Sequence, residues 1–225
     1  MKIVALIPFW SEYQYVNNEI ICRSLLEIGG KSLINRSIEI LNRVALIDEV
    51  IIFSSSEKII KHLDHNLQYK FLKRDQLLDS DKVSIEDIIE SFFQNSDASI
   101  VVLMHPKSPF IKFRTIQSCV DKVASGEFDS AFVAQSIKKH VWFKNERLNY
   151  SKNHDTPSLS SIDPILIEMS SVYVFTRELF KKYRSRIGLK PYIKEISHFE
   201  GFEVESLDDF EMSELIINSG LDKEI

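Results

Sequence analysis

Three stretches carry the residue types from which a site could be built. Phe202-Glu203-Val204-Glu205 alternates apolar and acidic side chains. In an extended strand that alternation puts both carboxylates on one face, an arrangement that suits a cation and equally the polar outer face of an edge strand. His105-Pro106-Lys107-Ser108-Pro109 follows a strongly strand-like run, and its two prolines forbid both helix and ladder, so a polar loop is expected there. Gly29-Gly30-Lys31 holds the one glycine pair of the chain. His62 and His65, three residues apart, have metal-ligand spacing, yet no carboxylate or thiol completes a set and a solvated helix face is the expectation.

Composition narrows the chemistry. The chain has 225 residues and only 6 glycines, where average usage of about 7% would give roughly 16, which argues strongly against a flexible Gly-rich phosphate cradle. Hydrophobic residues make up 44% and charged residues 27%, which excludes a disordered chain. A net charge of -5 argues against nucleic acid or anionic lipid as a partner, so an anionic ligand must meet a local basic cluster. Cys22 and Cys119 show neither CxxC nor paired Cys/His spacing and read as small core residues in a reducing compartment. Lys2 to Ile7 is too short for a signal or membrane segment, and a soluble, cytoplasmic protein is expected.

The elements that would position these groups alternate. Ile3–Ile7, Glu49–Phe53, Tyr69–Leu72, Ser99–Met104, Asp129–Ala134 and Ser171–Phe175 read as short buried strands. Between them lie helical faces: Ile34, Ile38 and Leu41; a stretch from Ser56 to about His65; Ile85 to Phe93 behind a capping box of Ser84 and Asp87; and Ile116 to Val123. Phe202–Glu205 reads as a further strand, and a last helix starts at Ser206 and stops at Gly220. This rhythm predicts an α/β fold of three layers with a mainly parallel sheet, spanning 1–225 as one domain. Such sheets bind ligands outside the carboxyl ends of their strands, here after Ile7, Phe53 and Met104. From about 136 to 170 the pattern breaks into an arm with Trp142, Phe143 and Tyr150 among polar residues, which suits an interface between two copies.

The opening K-I-V-A-L-I-P, L-E-I-G-G-K-S-L-I from Leu26, M-H-P-K-S-P from Met104 and V-E-S-L-D-D-F-E-M-S-E-L from Val204 together resemble the CMP-sugar synthetases. These are the acylneuraminate cytidylyltransferase family. Asp48–Ile52 and Ser170–Phe175 fall where that family has two further strands. The resemblance implies a nucleotide-diphosphosugar transferase type of sheet with a protruding dimerisation arm. It also implies a reaction in which CTP and a nonulosonate-like sugar acid form a CMP-sugar and pyrophosphate, for surface polysaccharide or glycan assembly.

Carried over by position, the resemblance makes Arg23 a phosphate clamp and His105, in place of a family Gln, an orienter of the sugar; these are the expected catalytic pair. Pro8, Ser11, Gln14, Ser54 and Ser55 become nucleotide-binding. Lys73, Arg74 and Ser108 become substrate-binding, although a basic pair in a polar loop also reads as solvated surface. Glu203 and Glu205 stand for the family's Asp-x-Asp and would hold Mg2+, each with one extra methylene. Gly29-Gly30-Lys31 matches a family turn and equally reads as an ordinary turn into a helix. The departure is Phe9–Gln14: where the family has A-R-x-G-S-K, Trp10 replaces Arg, Tyr13-Gln14 replaces Ser-Lys, and Glu12 would repel a triphosphate. Three readings follow. The chain is a cytidylyltransferase working as a homodimer on CTP and a sugar acid, a catalytically impaired member that binds ligands or partners, or an active enzyme whose loop is rebuilt for another substrate.

Overall fold

Ile3 to Pro8 is aliphatic throughout because it lies at the centre of a sheet and is buried on both faces. In the computed structural model, which describes residues 1–9, 13–16, 19–151 and 155–223, this strand, β1 (Ile3–Pro8), is followed by two small hairpins. They are β2 (Tyr13–Val16) with β3 (Glu19–Cys22), and β4 (Glu27–Ile28) with β5 (Lys31–Ser32). Helix α1 (Leu33–Asn42) starts on the Ser32 side chain, which accepts from Asn35 N. Then come β6 (Glu49–Ser54), a 3-10 stretch (Glu57–His62), β7 (Lys70–Lys73), α2 (Ile85–Gln94), β8 (Ile100–Met104), α3 (Phe113–Ala124) and β9 (Ser130–Ile137). The arm carries β10 (Trp142–Phe143) and β11 (Glu146–Arg147). The chain closes with β12 (Ile165–Thr176), α4 (Arg177–Tyr183), β13 (Pro191–Ile196) and α5 (Leu207–Ser219).

The sheet runs β13-β9-β12-β8-β1-β6-β7. All its pairings are parallel except those of β12, which lies antiparallel between β8 and β9. Period-2 alternation splits the core into two layers. Ile3, Ala5 and Ile7 face one side with Ile52, Val102 and Val174, packing on α1 and α3. Val4 and Leu6 face the other with Phe53, Leu103 and Phe175, packing on α2 and α4. The capping box of Ser84 and Asp87 forms as the sequence predicts, and Ser206 with Asp209 makes a second one at α5.

Three local expectations change. Residues 202–205 are not a strand; Phe202 N donates to Phe199 O, Val204 N to Lys107 O at 2.8 Å and Glu205 N to Asp209 Oδ2, and Val204 is buried against Ile28 and Leu33. Gly29-Gly30 is the tip of the β4–β5 hairpin rather than a turn directly into a helix. Both glycines have positive φ, 58° and 73°, and a Cβ on Gly29 would lie 2.5 Å from Ile217 Cγ2 of α5. The stretch after Ser56 is 3-10 and not α-helical.

Candidate functional site

The carboxyl ends of β1 and β8 leave a pocket of about 260 Å3 lined by Pro8, Arg23, Ser24, His105, Pro106, Lys107 and Ser170. Each wall has a local cause. Pro8 ends β1, and the chain returns along β3 to a 3-10 turn (Arg23–Leu25) that presents Arg23 and Ser24. Leaving β8, His105 N donates to Ser171 O at 2.9 Å, which fixes the His-Pro-Lys loop to β12. The buried Val204 then sets Glu203 and Glu205 on either side of the loop's end.

Both carboxylates converge on one cation, the ammonium of Lys107. Glu203 Oε2 lies 2.9 Å from Lys107 Nζ and Glu205 Oε1 lies 2.8 Å from it. The Glu203 side chain is 11% exposed and that of Glu205 60%, so Glu203 is the inner partner and Glu205 the solvent-side one. Burial works against the Lys107 charge, but hydrogen bonds to Glu205 and Glu203 outweigh it and raise its pKa above the usual lysine range. Lys107, with a contribution from the Arg23 charge, holds the Glu205 carboxyl below the ordinary value. Glu203 Oε1 is buried and has no hydrogen-bond partner among the described residues.

Burial pushes His105 down to about 4, with the charges of Arg186 and Lys107 adding to the effect. Its imidazole is therefore neutral at neutral pH and can both donate and accept. Arg186 stacks over the Tyr173 ring at 4.1 Å, and the Tyr173 hydroxyl donates to Glu168 Oε1 at 2.5 Å. The pocket floor thus combines a neutral imidazole with three cations nearby, Arg23, Lys107 and Arg186.

Of the residues expected from sequence, Pro8, Arg23 and His105 share this pocket, and Glu203 and Glu205 close on its Lys107. Ser108 is buried beside them, its hydroxyl without a hydrogen-bond partner among the described residues. Gln14 lies in β2 opposite Ile21, and Ser11 lies outside the described residues. Ser54 is buried at the end of β6, where its Oγ accepts from Ser56 N, and Ser55 Oγ donates to Asp79.

The pair Lys73-Arg74 is not a solvated couple. Lys73 is exposed, 3.9 Å from Glu57, but Arg74 is buried and donates to Phe53 O at 3.3 Å, to Phe9 O at 3.1 Å and to Asp79 Oδ1. It ties the carboxyl ends of β1 and β6 together. Lys107, Ser170 and Arg186 were not singled out as site residues from sequence. A lysine between two prolines is the one available signal, and it concerns Lys107 alone.

A pocket outside the carboxyl ends of a mainly parallel sheet is where open α/β proteins bind their ligands, and here cations stand in its wall. Residues 20–214 match the family model described as cytidylyltransferase; the chain belongs to that family. Among curated proteins none matches at the level of sequence. Similar solved structures share the fold. CMP:2-keto-3-deoxy-manno-octonic acid synthetase complexed with CTP aligns with TM-score 0.70 at 15% identity, over 98% of this chain and 100% of that one. The bifunctional IspDF from Campylobacter jejuni aligns at 0.67 and 12% identity over 94% of this chain, which spans 54% of that protein. The 4-diphosphocytidyl-2C-methyl-D-erythritol synthase from Anaerococcus prevotii DSM 20548 aligns at 0.58 and 15% identity over 96% of each chain.

Proposed function

We propose that the chain transfers a cytidylyl group from CTP to a hydroxyl of a sugar acid of the nonulosonate class, giving a CMP-sugar and pyrophosphate. The observation that carries the reading is the pocket at the ends of β1 and β8, where Arg23 presents positive charge to an anion beside a Lys107 held between Glu203 and Glu205, while the chain as a whole is acidic. Family membership and the CTP named with one structural neighbour support the nucleotide. The acylneuraminate-like motifs support the sugar acid.

In this reaction the sugar hydroxyl oxygen bonds to the α-phosphorus, the bond to the β-phosphate breaks, and pyrophosphate departs. The chain's task is positioning and charge. Arg23 clamps the phosphates, Lys107 meets charge on the departing group, and neutral His105 orients the sugar hydroxyl. Mg2+ bound with the nucleotide would supply further neutralisation of the triphosphate, and Glu203 and Glu205 are the residues to hold it. Their oxygens converge on the Lys107 ammonium, so a metal held by this pair would take the ammonium's place. Ser54 and Ser55, at the end of β6, remain nucleotide-side residues in this reading. The exposed Trp142 and Phe143 of the arm are the contact for a second copy in the proposed homodimer, and polysaccharide or glycan assembly in the cytoplasm is the proposed setting.

The ion pairs of Lys107 favour one second reading, a ligand-binding member without turnover, because both acids already hold a cation. Pyrophosphate release from CTP with Mg2+ and a panel of sugar acids separates the two. Release is expected with a sugar acid, and Arg23→Ala should lower it roughly 10–100-fold, the scale of a charged hydrogen bond. CTP binding without release would favour the second reading, and no CTP binding by calorimetry at millimolar nucleotide would refute the enzyme reading.

A further inference from the structure

We propose that Lys107 is the resident cation of this site: its ammonium fills the point between Glu203 and Glu205, and a divalent ion binds the pair only when that ammonium leaves. The distances argue for it. Nζ lies 2.9 Å from Glu203 Oε2 and 2.8 Å from Glu205 Oε1, ordinary lengths for an ammonium held by two carboxylates. Mg2+ takes oxygen ligands at about 2.0–2.1 Å, so a metal at the same point would require both oxygens to draw in by somewhat under 1 Å. The pair is dimensioned for nitrogen.

The surroundings hold it there. Val204 is fully buried and its N–H is bonded to Lys107 O, so the two glutamates and the lysine share one rigid junction between the loop after β8 and the entry to α5. Ser170 Oγ donates to Glu203 Oε2 at 3.4 Å, the same oxygen that meets the ammonium. The second oxygen, Glu203 Oε1, is buried without a hydrogen-bond partner among the described residues. Removing the ammonium would leave two converging carboxylates, one of them shielded from water, with the charge of Arg23 alone among the described residues to offset Glu205. Such a pair attracts a divalent ion strongly. Lys107 therefore sets the metal requirement of the site: while its ammonium sits between the two glutamates it lowers their affinity for a free divalent ion.

The proposal concerns the site of the cytidylyl reading, but its test needs no turnover. Mn2+ binding is measured by calorimetry and by the free-ion electron paramagnetic resonance signal, without nucleotide, on the full chain and on Lys107→Met, Lys107→Thr and Lys107→Met/Glu203→Gln. Circular dichroism establishes that each variant is folded, and the threonine variant serves if the methionine one is not. The single variants should bind Mn2+ roughly tenfold or more tightly than the unaltered chain, and the double variant should lose that gain. Equal affinity in the unaltered chain and a folded single variant overturns the proposal, as does a gain that survives Glu203→Gln. A chain that fails the pyrophosphate assay yet shows the Mn2+ gain would refute the function and leave Lys107 in this role.

Discussion

His105 makes stability depend on pH in a way that can be isolated. The unfolded chain should titrate this imidazole near 6.5, while burial, with Arg186 and Lys107 nearby, brings it to about 4 in the folded protein. Between those values the unfolded state binds a proton that the folded state refuses, so stability falls as pH falls from about 6.5 toward 4 and changes no further below that. At about 1.4 kcal/mol per pH unit the interval sets a loss of about 3 kcal/mol by pH 4. The test is urea unfolding of the protein and of His105→Gln at several pH values from 7.5 to 4. Other titrating groups are common to both, so the stability of the parent relative to the variant should fall by about that amount, steepest between 6 and 4.5. A difference that stays flat across the range would refute a neutral, half-buried imidazole, as would a His105 proton resonance titrating near 6.5.

Two further outcomes follow from buried contacts. Arg74→Met should destabilise the fold by about 3 kcal/mol, because it strips partners from two strand-end carbonyls and from Asp79; unchanged unfolding with a raised KM for the sugar would instead return Arg74 to the substrate. Gly29→Ala should cost about 2 kcal/mol through its φ of +58° and the 2.5 Å approach of Ile217. Adding Ile217→Ala should recover part of that loss in thermal unfolding, since it relieves the contact but not the backbone strain.

Much of the fold is written locally and much of the site is not. The unbroken aliphatic run of β1 reflects burial on both faces, and Ser84 with Asp87 encodes the start of α2 within four residues. The antiparallel course of β12 has no such mark, because strand direction is decided by where the chain re-enters the sheet. At the site, Glu203 and Glu205 share a target although the strand behind that expectation is absent; the buried Val204 between them does what a ladder would have done. Lys107 lies 98 residues from Glu205 in sequence, and no spacing rule joins them. Arg74 reads as a surface residue because two of its partners are main-chain carbonyls, which side-chain identities do not encode.

The strand order has a consequence for synthesis. Strand β8 finds β1 already made, but both neighbours of β9, β12 and β13, come after it in the chain. Until residues 165–196 have emerged, β9 presents two open apolar edges with the arm trailing behind it. At about 5–20 residues per second that exposure lasts several seconds on the ribosome. An unpaired edge of that kind is where a nascent chain joins the wrong partner. Slowing translation just after β9, or truncating the chain between 140 and 164, should therefore convert a folding intermediate into an aggregating one.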